Sequence, residues 1–133
     1  MYIDGENVAA TKAGQIMEIA CRKGTLDFAK VYGLQKDKAT KNWTEFALGN
    51  NRVRDIRLYG GPAKDKVDRK IRKDTLNDVK KSKNIDIVVL VSSDHGYVET
   101  MRKLRESGKH IVVIGEKKTP DALRRVCNEF VQI

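Results

Sequence analysis

The sequence of 133 residues is poor in cysteine, proline and histidine, and it has no long run of apolar residues. The two cysteines, Cys21 and Cys127, do not have the spacing of metal ligands, so we interpret both as small core residues in a reducing, cytoplasmic setting. With two prolines and ten glycines, the chain is neither collagen-like nor of low complexity. No stretch reaches the ~18–20 apolar residues of a membrane span, so no membrane partner is expected.

Several short catalytic motifs are also missing. The sequence has neither the G-x-G-x-x-G fingerprint of dinucleotide-binding domains nor the G-x-x-x-x-G-K-[ST] loop that holds nucleotide phosphates. It lacks the G-x-S-x-G turn that carries the nucleophile of many hydrolases. The glycine-rich segment Gly60-Gly61-Pro62 instead predicts an ordinary turn.

Positive charge is present in excess. The chain has 27 Lys and Arg against 18 Asp and Glu, a formal net charge of +9 and a sequence pI of about 9.6. Such an excess favours an anionic partner such as nucleic acid, because neutralising phosphates releases counterions. The excess is densest at residues 64–83, where nine Lys and Arg stand against four Asp. This segment is either a phosphate-binding surface or a solvated helix face.

The apolar residues predict strands that alternate with helices. Residues 85–92 and 110–114 are mostly apolar, as in parallel strands buried on both faces, whereas residues 53–59 alternate like a half-exposed edge strand. This order predicts an α/β fold in one domain over residues 1–133, with a mainly parallel sheet covered by helices on both faces. The other predicted strands are 2–3, 29–34 and 130–133, and the predicted helices are 13–23, 40–48, 65–82, 97–106 and one that begins after Thr119-Pro120.

Three acidic residues are expected at one edge of this sheet. Asp4 and Asp94 each follow a predicted strand, and Asp68 lies near the start of the long helix after the edge strand. Since the functional crevice of an open α/β sheet lies outside the carboxyl ends of its strands, these carboxylates are expected to converge there. Such oxygen ligands suit Mg²⁺ or Mn²⁺, which promote attack of water on a phosphodiester. The alternative for each acid taken alone is a cap or a favourable charge at a helix N-terminus.

Three segments together resemble the NYN domain, a branch of the PIN-like nuclease superfamily. They read IDGEN at residues 3–7, KVDRKIRKD at residues 66–74 and VSSDHGY at residues 91–97, and the resemblance extends over nearly the whole chain. It implies a three-layer α/β/α sandwich of the PIN-like kind. It also implies a metal-dependent ribonuclease that uses Mg²⁺ or Mn²⁺ to hydrolyse RNA.

The resemblance implies particular site residues as well. Asp4, Asp68 and Asp94 match the catalytic, metal-binding acids of the family. Because six residues of a helix turn ~600°, Asp68 and Asp74 point about 120° apart and cannot both face one metal ion. The implied supporting residues are Asn7, Asp74, Ser92 and Ser93. From charge and position, the residues expected to contact RNA are Lys66, Arg69, Lys70, Lys73, His95 and Tyr97, with the Tyr97 ring stacked on a base.

Two positions depart from the family pattern. Gly96 stands where the S-x-D-x-D-F motif has its second acid, with Tyr97 in place of Phe, and Asn128 stands where an Asp often precedes the closing strand. Fewer carboxylates weaken cation binding, unless Glu6 or Glu99 compensates. The alternative functions are therefore a catalytically weakened RNA-binding module of the same fold, or a regulatory or assembly domain without nucleic acid. Homo-oligomerisation is left open.

Overall fold

In the described part of the chain, six parallel strands form one sheet that is flanked by five helices. The computed structural model describes residues 1–34, 38–59 and 65–133, with side chains from residue 41 onward in the second range. The predicted turn at Gly60-Gly61-Pro62 and the cation Lys64 lie outside the described residues. The strands are β1 (Tyr2–Asp4), β2 (Ala29–Leu34), β3 (Val53–Leu58), β4 (Ile87–Val91), β5 (His110–Gly115) and β6 (Glu129–Gln132), and the helices are α1 (Ala13–Lys23), α2 (Lys38–Leu48), α3 (Lys66–Lys81), α4 (Val98–Glu106) and α5 (Asp121–Val126).

The strand order is β3-β2-β1-β4-β5-β6, and every neighbouring pair is parallel. The chain adds β2 and β3 on one side of β1 and then returns to add the other strands on the opposite side. The order therefore reverses between β1 and β4, and ligands of open α/β sheets generally bind at the carboxyl ends of the strands at such a reversal. Ile3 pairs with Val91, so the residues that follow them, Asp4 and Ser92, lie at the same edge.

Two layers of apolar side chains cover the sheet. Ile16 of α1 and Trp43 of α2 belong to the core on one face, while Ile71 of α3, Met101 of α4 and Leu123 of α5 belong to the core on the other. None of the five side chains is more than 1 % exposed. The predicted three-layer α/β/α sandwich with a parallel sheet is therefore confirmed.

Strand β4 shows how one apolar run supplies both layers. Val88 and Leu90 join the core beneath α3, α4 and α5, whereas Val89 and Val91 join the core beneath α1 and α2. This division follows from the two-residue period of a strand. Strand β3, which ends the strand order on one side, is the edge strand that its alternating residues predict.

The helices begin and end within two residues of their predicted bounds where both ends were predicted. None of the described helices is long and apolar enough to cross a membrane. The prediction that Cys21 is a core residue is wrong, because its side chain is exposed, whereas Cys127 is buried. The buried stripe of α1 contains Ile16 and Ala20, and Cys21 lies about 100° further around the helix.

Candidate functional site

Asp4 is the last residue of β1 and is almost fully buried, with 1 % exposure. The chain turns at once after it, because the Gly5 N–H donates a hydrogen bond to the Tyr32 carbonyl of β2 at 2.9 Å. A Cβ at position 5 would lie 2.7 Å from that oxygen, so the turn requires glycine. The following loop is held by Trp43, whose Nε1 donates to the Val8 carbonyl at 2.8 Å. These contacts fix Asp4 at the carboxyl edge of the sheet.

The two carboxylate oxygens of Asp4 have different surroundings. Oδ2 accepts hydrogen bonds from Asn7 Nδ2 at 2.9 Å, Ser92 Oγ at 3.2 Å and the Tyr97 hydroxyl at 3.4 Å. Oδ1 is buried and has no hydrogen-bond partner among the described residues. Because a buried carboxylate oxygen without a partner is costly, Oδ1 is the atom that a bound cation would satisfy.

Asp94 follows β4 at the same edge. Its backbone N–H donates to Ser92 Oγ at 3.1 Å, so one hydroxyl contacts both Asp4 and Asp94. Asp94 Oδ1 accepts a hydrogen bond from the Gly96 N–H at 2.9 Å and caps the short 3-10 turn formed by His95–Tyr97. One Asp94 oxygen therefore has the capping role that we considered as the alternative to cation binding.

Asp68 approaches the other two acids from the first turn of α3. Gly96 permits this approach, since a Cβ there would lie 2.5 Å from Asp68 Oδ2 and 3.5 Å from Asp94 Oδ1. Asp68 Oδ1 lies 3.0 Å from Arg72 Nη2 in an ion pair whose geometry is not that of a hydrogen bond. The glycine that replaces a second acid thus leaves the space in which Asp68 and Asp94 come together.

Burial and neighbouring charges raise the pKa values of Asp4 and Asp68. Burial raises the pKa of Asp4, hydrogen bonds to its carboxylate oppose this shift, and the charge of Asp94 adds to it. Burial also raises the pKa of Asp68, where the Arg72 guanidinium opposes the shift and the charges of Asp94 and Asp4 add to it. Carboxylates that are desolvated and repel one another favour a neutralising cation.

The acids fit a hard divalent cation by their chemistry. Mg²⁺ and Mn²⁺ prefer oxygen ligands, and Asp4 Oδ1 and Asp68 Oδ1 are both buried without a hydrogen bond. Within residues 1–34, 38–59 and 65–133, no three His, Cys, Asp or Glu side chains are grouped closely enough to hold one ion together. Mg²⁺ usually takes one or two carboxylates and completes its shell with waters and phosphates. The residues therefore fit a cation that keeps part of its hydration shell.

Two of the predicted supporting residues, Asn7 and Ser92, contact the first acid directly. Ser93 faces another part of the edge, because its hydroxyl accepts hydrogen bonds from the Glu116 N–H and the Thr119 hydroxyl, each at 2.9 Å. Glu116 directly follows β5. Ser93 therefore joins the ends of β4 and β5, and among the described residues its hydroxyl makes no hydrogen bond to the three acids.

Asp74 lies on the other flank of α3 from Asp68. Its Oδ2 accepts a hydrogen bond from the Tyr32 hydroxyl at 2.9 Å, and its Oδ1 pairs with the Lys70 amine at 2.8 Å. Through these two oxygens, Asp74 bonds to β2 and to the residue one helical turn earlier in α3. In the described part of the chain, Asp74 gives the three acids no direct support, because the buried face of α3 separates the two flanks.

The basic residues that were expected to contact RNA differ in their surroundings. Arg69, Lys73 and His95 are exposed. The Lys66 amine donates to a backbone carbonyl beyond the end of β3, and the Lys70 amine is paired within α3. Arg69, Lys73 and His95 are therefore the members of this set that solvent reaches most easily.

The prediction that Tyr97 stacks on a base is wrong. Its side chain is 0 % exposed and belongs to the core beneath α3, α4 and α5. Its hydroxyl reaches Asp4, and its pKa is raised by burial and by the charges of Asp4, Asp68 and Asp94. Tyr97 therefore forms part of the floor beneath the three acids.

Two further positions lie away from the acids. Asn128 Oδ1 accepts a hydrogen bond from the Ile111 N–H at 2.8 Å, near the amino end of β5. An acid at position 128 would thus lie at the opposite edge of the sheet, and the expectation that Asn128 weakens the acidic set is wrong. Glu99 is exposed and pairs with Arg102 at 2.8 Å, so it does not replace a missing carboxylate.

Two contacts at the acids, that of Arg72 with Asp68 and that of Tyr97 with Asp4, were not predicted from the sequence. Asp68 and Arg72 are four residues apart on a predicted helix, which is the spacing of a side-chain pair, so this contact had a recognisable signal. The contact between Tyr97 and Asp4 had none, because it joins residues 93 positions apart through the packing of the core.

Comparison with known proteins gives a family and a fold. A family model of the NYN domain matches residues 1–133. No curated protein matches the chain. Among solved structures, the chain is similar to a protein of unknown function from Vibrio parahaemolyticus, with a TM-score of 0.79 and 21 % sequence identity over 99 % of this chain and 90 % of that one. At this level of identity, the similarity shows the fold.

Proposed function

The chain belongs to the NYN domain family, which has a nuclease-type fold, and we propose that it is a ribonuclease that hydrolyses RNA with the help of Mg²⁺ or Mn²⁺. The observation that carries this proposal is the buried, unpartnered Oδ1 of Asp4 at the point where the strand order reverses. Asp94 and Asp68 lie at the same edge and add to the negative charge around it. A basic chain has little reason to gather carboxylates there unless a cation binds them.

In this proposal, the cation binds at the edge where Asp4, Asp68 and Asp94 meet, with one or two of these carboxylates as direct ligands and the remaining charge acting through water. When bound, the cation supplies the positive charge that polarises the phosphodiester and favours attack by water. Asn7 and Ser92 saturate Asp4 Oδ2, so that Oδ1 is the oxygen presented to the site. The chain thereby orients the first acid before any ligand arrives.

The RNA strand would be held by exposed basic residues near the acids. Arg69 and Lys73 lie on the solvent side of α3, and His95 lies in the turn that Asp94 caps. Contacts of this kind are made to phosphates and carry no sequence information. Because phosphate contacts release counterions, RNA binding should weaken steeply as the salt concentration rises.

The proposal is tested by cleavage of a labelled single-stranded RNA with Mg²⁺, with Mn²⁺ and with a chelator. We expect cleavage with a metal, none with the chelator, and none by Asp94→Asn. Asp86→Asn is the matched control, since Asp86 is exposed and precedes β4 at the amino edge of the sheet. Absence of cleavage with both metals, or equal cleavage by wild type and Asp94→Asn, would contradict the proposal.

A second candidate function is RNA binding without cleavage. It is favoured by the ion pair between Asp68 and Arg72, which occupies one acid, and by the lack of three closely grouped ligands among the described residues. It predicts salt-dependent RNA binding that Asp94→Asn leaves intact, together with no cleavage under any metal condition. Binding and cleavage measured on the same variant therefore separate the two functions.

A further inference from the structure

The ion pair between Arg72 and Asp68 bears on how the proposed cation site works. Arg72 Nη2 lies 3.0 Å from Asp68 Oδ1, one helical turn away on α3. Among the ion pairs between described residues, this is the one that reaches the three acids, since the pairs of Lys70 and Lys30 engage other carboxylates of the same helix. The guanidinium therefore pairs with an Asp68 oxygen that is also available as a ligand for a bound cation.

The pair is enclosed but poorly satisfied. The Asp68 side chain is 16 % exposed and the Arg72 side chain 37 % exposed. Asp68 Oδ1 and Arg72 Nε are both buried without a hydrogen-bond partner among the described residues. An Arg–carboxylate pair gains most when two parallel hydrogen bonds form, and this pair lacks that geometry. The pair is thus held mainly by the attraction between opposite charges. A divalent cation beside Asp68 can supply the same attraction.

We propose that Arg72 is an internal counter-ion that competes with the divalent cation for Asp68. Without the cation, the guanidinium holds Asp68 Oδ1 and lowers the repulsion among the three acids. Binding of the cation to Oδ1 requires the guanidinium to leave this oxygen, and binding to Oδ2 places a second positive charge on the carboxylate that Arg72 already pairs with. Arg72 is therefore a positioning residue that lowers the affinity of the site for cations, and this inference rests on the cation site of the proposed function.

If Arg72 competes with the cation, removing the charge of Arg72 should increase the affinity of the site for cations. Arg72→Gln is expected to bind Mn²⁺ about three- to tenfold more tightly than wild type, because the lost pair no longer opposes binding. Arg72→Met keeps much of the aliphatic stem and should show the same gain. Arg72→Lys keeps the charge and should remain near wild type.

The matched control is Arg22→Gln. Arg22 forms an i,i+4 pair with Glu18 on α1, which packs on the opposite face of the sheet, and the substitution removes the same charge. Its affinity for Mn²⁺ should equal that of wild type. Mn²⁺ binding is measured by calorimetry, or by the spin-resonance signal of unbound Mn²⁺, at fixed pH and salt without RNA, after circular dichroism has shown which variants are folded.

The outcomes separate this inference from the proposed function. Equal or weaker Mn²⁺ binding by Arg72→Gln and Arg72→Met overturns the competition, and so does an equal gain by Arg22→Gln. Tighter binding by the two Arg72 variants supports it even if no variant cleaves RNA, in which case the proposed ribonuclease fails alone. If neither wild type nor any variant binds Mn²⁺, both are wrong.

Discussion

The Ser92 hydroxyl donates a hydrogen bond to Asp4 Oδ2 over 3.2 Å and so joins the carboxyl ends of β1 and β4. The same hydroxyl accepts the Asp94 N–H at 3.1 Å. Ser92 itself is fully buried. One side chain between the two central strands therefore sets the relative positions of two of the three acids.

Substitution of Ser92 by alanine is expected to affect both stability and the site. It removes a donor from Asp4 Oδ2 and leaves the Asp94 N–H without its partner, which should cost about 1–3 kcal/mol of unfolding free energy. RNA cleavage should also fall, because Asp4 and Asp94 lose their common contact. Urea unfolding and cleavage rates of the same preparation measure the two effects.

Ser93→Ala is the control for this prediction. Its hydroxyl contacts Glu116 and Thr119 at the end of β5, so its loss should lower stability with little effect on cleavage. If both variants lost cleavage activity to the same extent, lower stability and not the contact of Ser92 with Asp4 and Asp94 would explain the loss.

Asp4 should make the folded protein less stable as pH rises. Its pKa is raised by burial, which hydrogen bonds oppose in part, so the folded chain holds this proton more tightly than the unfolded chain does. The free energy of unfolding should therefore decrease as pH rises from the ordinary carboxyl value of about 3.9 through the raised pKa. Asp4→Asn should show a shallower decrease in urea unfolding measured with a chelator over this range. If the free energy of unfolding fell equally with pH in Asp4→Asn and wild type, the raised pKa of Asp4 would be contradicted. Asp86→Asn is the control, because Asp86 is exposed.

A methyl group at position 96 should weaken cation binding. The Cβ of Gly96→Ala would lie 2.5 Å from Asp68 Oδ2 and must push that carboxylate aside. Gly14→Ala is a useful comparison, because Gly14 lies exposed in α1 with nothing within 4 Å of an added Cβ and should gain about 0.5–1 kcal/mol. Mn²⁺ titration and urea unfolding of both variants are the measurements. Unchanged Mn²⁺ affinity in Gly96→Ala would show that Asp68 takes no part in binding.

Position 128 should affect stability without affecting the site. Asn128→Ala leaves the buried Ile111 N–H unpaired, at a cost of about 1–3 kcal/mol in urea unfolding. Asn128→Asp keeps an acceptor oxygen and should stay closer to wild type in stability. Neither variant should change Mn²⁺ affinity, since the residue lies near the amino end of β5. A gain in affinity or cleavage by Asn128→Asp would place this position at the acids after all.

The fold was largely predictable because its signals are local. The apolar run of β4 and the helical spacing of α1 and α3 each depend on residues a few positions apart, and the structure has these elements close to their predicted bounds. The general rule for parallel sheets then predicted that Asp4 and Asp94 meet at one edge. The surroundings of the individual side chains were less predictable, as Cys21 and Tyr97 show.

The sequence by itself determined the order of strands and helices, the parallel sheet and the family, because these follow from periodicity and from short motifs at strand ends. Only the tertiary structure decided that Asp74 contacts Tyr32 of β2, that the Tyr97 hydroxyl lies beneath Asp4, and that Asn128 lies at the far edge. The reason is that these contacts depend on how α3 is rotated about its axis and on the register of strands distant in the chain. Both are set by packing of the whole core.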